Sequence, residues 1–98
     1  MTMPEDDPSH QFQMLLKPLT KAIQQQNVEA AVRFAGHLLE IGGGIQVNED
    51  RKVHFLLRAL EGASAALKTE FTAKVVERYG GRLSDESRGR LSRFLERL

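Results

Sequence analysis

Residues 42–50 read GGGIQVNED, and this stretch divides the chain. Three consecutive glycines stop the strongly helical segment before them. Asn48, Glu49 and Asp50 then have the form of a helix start: a capping side chain followed by two acids that suit the positive end of the helix dipole. Charge changes sign across the same point. Residues 1–50 carry three bases against seven acids, net −4, and residues 51–98 carry eleven bases against six acids, net +5. The expectation is two helical halves with opposed surface charge, which points to partners rather than to chemistry.

On the N-terminal side, Val28, Ala31, Val32, Ala35 and Leu39 make one apolar stripe. Phe34, Leu38 and Ile41 widen it, so burial against more than one neighbour is expected. Asn27 reads as the N-cap, and Gly42 supplies the left-handed stop. Earlier still, Phe12, Leu15, Leu16, Leu19 and Ile23 follow helical spacing from a start at Asp7-Pro8. Pro18 interrupts them. Its ring clashes with the carbonyl four residues back, which predicts a kink or two short helices meeting near Lys17. Residues 1–7 read as a disordered acidic lead, and residues 8–98 as a single helical domain.

On the C-terminal side, Ile45 and Val47 are expected to tuck back onto the core. A short strand there would need a partner. Val53, Leu56, Leu57 and Leu60 stand at i, i+3, i+4 and i+7, a core-facing pattern. Leu57, mid-stripe, is expected to leave a cavity costing about 2–5 kcal/mol if cut to alanine. Gly62 and Ser64 permit a break. Ala63, Leu67, Phe71, Val75, Val76 and Tyr79 mark the next helix, which Gly80-Gly81 ends. Ser84-Asp85-Glu86 caps the last one, and Leu91, Phe94, Leu95 and Leu98 repeat the i, i+3, i+4, i+7 pattern. No segment alternates with period two. The reading is all-α: a compact bundle of four to five short amphipathic helices, joined at residues 25–27, 42–47, 62–64 and 80–84.

Bulk properties narrow the function classes. Ninety-eight residues with 41% apolar content make one small core. There is no cysteine, which excludes disulfides, thiolate chemistry and cysteine-based zinc sites. The acidic start is not a signal peptide, and no apolar run approaches the ~20 residues of a membrane span. A cytoplasmic or nuclear setting fits.

Candidate chemistry is sparse. His37 and Glu40 stand three apart on one helix, but two ligands do not make a metal site, and a surface polar pair is the expected reading. His54 reads as a boundary residue. The glycine run lacks the preceding strand and the following Gly-Lys-Ser/Thr of a phosphate loop. No catalytic, cofactor-binding or metal-binding residue is assigned. The C-terminal arginines Arg82, Arg88, Arg90, Arg93 and Arg97 are the strongest cluster, and Arg90, Arg93 and Arg97 share a helix face at i, i+3, i+7. A solvated face, an acidic protein partner and a nucleic-acid backbone are the three readings of that face. Phe34, Leu38, Ile41, Arg90, Arg93 and Arg97 are the candidate partner-binding residues.

Residues 19–47 read LTKAIQQQNVEAAVRFAGHLLEIGGGIQV. The run Leu19-Thr20-Lys21-Ala22-Ile23, the polar turn, then Ala31, Ala35, Leu38, Glu40 and the pair Ile45 and Val47 carry a resemblance. This segment resembles the helical tethering motif of the accessory subunits of the linear ubiquitin chain assembly complex. The resemblance implies helix pairing between subunits, with Ala22, Ile23, Ala31, Val32, Ala35 and Leu38 facing a partner helix. The function expected from all of this is protein–protein interaction, adaptor or regulatory, with a homodimer as one form. The alternative is a nucleic-acid-binding regulator that uses the C-terminal arginine face.

Overall fold

In the computed structural model the described residues are 8–98 for the backbone, with side chains from Gln11 onward. The expected disordered lead, residues 1–7, lies outside them, as does the start at Asp7. Five helices follow one another: α1 Pro8–Gln24, α2 Val28–Glu40, α3 Glu49–Ala59, α4 Ala65–Tyr79 and α5 Asp85–Glu96, with a 3-10 turn at Gly80–Arg82 before α5. No strand occurs among the described residues, so the 42–47 connection is a chain of turns. The fold is the expected all-α bundle.

Local chemistry explains the boundaries. Asn27 caps α2 by accepting the Ala30 N–H at 3.2 Å. Ser64 and Ser84 cap α4 and α5 in the same way, accepting from Leu67 N and Ser87 N at 3.2 Å each. Gly42, Gly43 and Gly44 have φ of 82°, 107° and 138°, so three successive residues adopt backbone that side chains disfavour.

Two local features differ from the simplest expectation. α1 is one helix through Pro18, so the pair of short helices does not form. Proline removes the hydrogen bond to the Met14 carbonyl, and Met14 lies on the solvent side at 61% exposure, where water can take the orphaned acceptor. Asn48 starts α3 but makes no side-chain cap; it sits in the left-handed region at φ 55°. The tight return from the glycines demands that conformation, which asparagine tolerates, whereas a capping side chain needs extended backbone.

The core joins Phe12, Leu19, Ile23, Ala31, Val32, Ala35, Leu38, Leu39, Ile45, Val53, Leu56, Leu60, Leu67, Phe71, Val75, Leu83 and Leu91. α1 packs chiefly on α2, α2 also on α4 and α3, and α5 on α4 with a narrower strip on α3. The shortest dimension of the backbone is 18 Å, room for two layers of helices about 8–10 Å apart. Each helix therefore keeps an outer face. Ile45 is buried as expected, but Val47 is 42% exposed and does not tuck in.

Gly36 brings α2 and α4 together. A Cβ on it would lie 2.1 Å from Tyr79 Oη and 2.6 Å from Tyr79 Cζ, so the whole ring would have to move. Arg82 sits over that ring, its guanidinium carbon 5.7 Å from the centroid. Gly36→Ala sets a helix-propensity gain of about 1 kcal/mol against an overpacking cost of about 1–3 kcal/mol. A net loss of stability is expected in urea melts. With Tyr79→Leu already in place, the same substitution should turn neutral or stabilising; an equal loss there would sink the steric explanation.

Candidate functional site

Part of the charge asymmetry along the chain is paired across the bundle. Glu29 of α2 meets Lys74 at 3.0 Å and Arg78 at 3.3 Å on α4, and Glu40 meets Arg82 at 3.1 Å. The hydrogen bond and charge of Lys74, then those of Arg78, hold the Glu29 carboxyl below the usual carboxylate range. Arg88 pairs with Asp85 within its own helix. Glu40 is thus engaged by arginine, while its neighbour His37 is exposed. Among the described residues no group of three or more His, Asp or Glu converges as a metal site.

Glu49 and Lys52 are the best-built polar cluster, and the sequence reading missed both. Lys52 is fully buried on the inner face of α3. Its ammonium donates to the carbonyls of Leu39 at 2.7 Å, Ile41 at 2.6 Å and Gly44 at 2.7 Å. An ammonium has three protons, and here each has an acceptor. Two of those carbonyls close the C-terminus of α2, where the helix dipole favours a cation. Burial pushes the Lys52 pKa below the usual lysine range, and the nearby Glu49 charge opposes that shift. The glycine loop thus turns the Gly44 carbonyl inward onto a lysine, the reverse of a phosphate loop, which presents N–H groups.

Glu49 secures the other end. It is nearly buried, and its Oε1 accepts from the Ser84 N–H at 2.9 Å and the Ser84 hydroxyl at 2.7 Å. Burial alone would raise its pKa. The hydroxyls of Ser87 and Ser84, the Ser84 N–H and the Lys52 charge outweigh this and hold it below the usual carboxylate range. α3 therefore ties the end of α2 to the start of α5. A carboxylate whose folded pKa lies below its unfolded one stabilises fully above the unfolded value, and that contribution is lost as pH falls through the folded one. Glu49→Gln should cost about 1–3 kcal/mol at pH 6, and the gap to the parent protein should narrow by pH 3. Urea midpoints at both values check this; an equal gap at both would rule out the carboxylate as the stabilising group.

The signal for this cluster was in the spacing. Glu49, Lys52, Val53, Leu56 and Leu60 continue one stripe at i, i+3, i+4, i+7 and i+11, so two opposite charges stand on a core-facing line.

The structure divides the six candidate partner-binding residues. Leu38 is fully buried and is a core residue, which corrects its assignment to an interaction surface. Phe34 and Ile41 are half-buried at the edge of the core. Arg90, Arg93 and Arg97 do come together. With Leu57 and Phe94 they line a shallow hollow of about 250 Å³ between α3 and α5. Leu57 is half-buried at the edge of the core and lies beside α5, whose contact with α3 is narrow. Leu91 alone of the last apolar stripe is fully buried, Phe94 and Leu95 are half-buried, and Leu98 is 45% exposed. Arg90 donates to the Asp50 carbonyl at 3.4 Å and Arg93 to the Gly89 carbonyl at 3.2 Å. Among the described residues none of the three forms an ion pair.

The six residues that the tethering resemblance turns toward a partner helix, Ala22, Ile23, Ala31, Val32, Ala35 and Leu38, are all buried in this chain's own core. Compared with protein-family models, curated proteins and solved structures, the chain matches none. No helix among the described residues is long and apolar enough to cross a membrane.

Proposed function

We propose that this chain is a protein–protein interaction domain of adaptor or regulatory type, working in the cytoplasm or nucleus, with α5 as its docking element. One observation carries the reading. The other arginines of the C-terminal cluster, Arg82 and Arg88, have carboxylate partners within the domain, while Arg90, Arg93 and Arg97 surround an apolar floor and have none among the described residues. Arginine's planar fork suits carboxylates on a partner, and a half-buried aromatic and leucine beneath it give the apolar centre that binding surfaces use. The reading assigns no catalytic residue and no cofactor. The resemblance of residues 19–47 to tethering helices supports an adaptor role, but the surface it would use is occupied internally, which moves the proposed contact to α5.

The test is charge reversal. Arg90→Glu, Arg93→Glu and Arg97→Glu together should leave the melting temperature within a few degrees, because exposed charges contribute little to folding. The same variant should lose the protein that the parent chain captures from lysate, or its own dimer by light scattering. Unchanged capture and unchanged mass would remove α5 from the functional account. The competing reading, a nucleic-acid regulator, requires binding to DNA or RNA that falls steeply with salt.

A further inference from the structure

Resting on the reading of α5 as the docking element, we infer that the hollow between α3 and α5 receives an acidic amphipathic helix from a partner protein. Its carboxylates meet Arg90, Arg93 and Arg97, and one apolar side chain seats on Leu57 and Phe94.

Charge argues for an acidic occupant. Glu29, Glu40 and Glu49 are already committed to Lys74, Arg78, Arg82 and Ser84. Glu86 and Glu96, the acids nearest the three arginines in sequence, form no ion pair with them. The positive row on α5 must therefore be neutralised from outside or left to solvent. Its geometry selects a helix. Arg90 and Arg97 are seven residues apart on one helix, a rise of about 10 Å. Carboxylates at i, i+4 and i+7 of a second helix span the same distance. Strand addition, another mode of peptide docking, needs a sheet edge, and the described residues have no strand.

The floor selects an apolar anchor. Leu57 and Phe94 offer no hydrogen-bonding group to a phosphate chain. Phe94 is the only aromatic ring lining the hollow, whereas single-stranded nucleic acid is held by a series of stacking platforms. The volume, about 250 Å³, falls below the roughly 300–1,000 Å³ of small-molecule sites, so one side chain is the better fit.

Fluorescence anisotropy with the full chain tests this. The probe is a labelled 16-residue helical peptide with Glu at i, i+4 and i+7 and one central Leu on the same face. Its controls carry Leu→Ser or Glu→Lys, and a 20-nucleotide single-stranded RNA is run alongside. The first peptide should bind, and the Leu→Ser control should bind at least tenfold more weakly. The Glu→Lys control should not bind the parent chain but should bind the Arg90→Glu, Arg93→Glu, Arg97→Glu variant. Equal binding of the Leu→Ser peptide would overturn the anchored helix and leave an electrostatic surface. RNA binding tighter than the peptide would overturn a protein occupant. No peptide binding at millimolar concentration would also overturn the inference; if captured protein still depended on the arginines, the broader α5 reading would survive that failure.

Discussion

Lys52→Met is expected to destabilise the domain by about 3–5 kcal/mol, the range seen when one member of a buried charged cluster is removed. A chain of this length has only about 5–15 kcal/mol in total, so the variant should sit near the edge of folding. Methionine replaces the apolar stem of lysine with an unbranched side chain one atom shorter. What it removes is the ammonium that closes the carbonyls of Leu39, Ile41 and Gly44. Two acceptors would then be left at the end of α2 and one in the glycine turn, and Glu49 would lose the cation beside it. Lys52→Arg is the informative companion. It keeps the charge, but its flat five-donor fork does not match three carbonyls converging on a point. Arginine should therefore rescue little. Urea melts at neutral pH read both variants. A loss below about 1 kcal/mol for Lys52→Met would mean that water solvates these carbonyls as well as the lysine does. Full rescue by arginine would mean that charge, not geometry, holds the glycine turn.

The legible parts of this fold were those governed by nearest neighbours along a helix. Apolar spacing marked the buried faces, as in Phe12, Leu19 and Ile23 on α1 or Leu67, Phe71 and Val75 on α4. Capping chemistry marked starts at Asn27 and Ser84 because the acceptor and its N–H are three residues apart. Long-range relations were not legible. Lys52 meets carbonyls 8 to 13 residues away, and Glu49 meets a serine 35 residues away. Their partners become neighbours only once α2, α3 and α5 have packed. The same holds for the charges. Net −4 and +5 in the two halves suggested two surfaces, yet Glu29 and Glu40 lie against Lys74, Arg78 and Arg82 across the bundle. Pro18 does not split α1, because the residue that loses its hydrogen-bond donor, Met14, is exposed to water. For the interaction surface, the helical register of Arg90, Arg93 and Arg97 was readable. That Leu38 is buried on α2 while Leu57 is only half-buried on α3 was decided by packing between helices, including the narrow contact of α5 with α3.

Leu56 and Leu57 turn that last point into an experiment, because they are adjacent in sequence and point to different environments. Leu56 is 1% exposed within the core, and Leu57 lines the hollow beside Phe94. Leu56→Ala should cost about 2–5 kcal/mol, since the surrounding helices can collapse only partly into the space. Leu57→Ala should cost less than about 1.5 kcal/mol, because a half-buried side chain loses less transfer energy and opens a surface dent rather than a cavity. Binding should run the other way. Leu57→Ala deletes half of the apolar floor and should weaken the anchored acidic peptide several-fold, while Leu56→Ala, in conditions where it remains folded, should leave the peptide affinity close to that of the parent chain. Two urea melts and two anisotropy titrations suffice. If Leu57→Ala destabilised as much as Leu56→Ala, α5 would cover α3 more fully than its narrow contact implies, and the hollow would be core. If instead Leu57→Ala were stable and bound the peptide unchanged, the row of arginines would act without an apolar anchor.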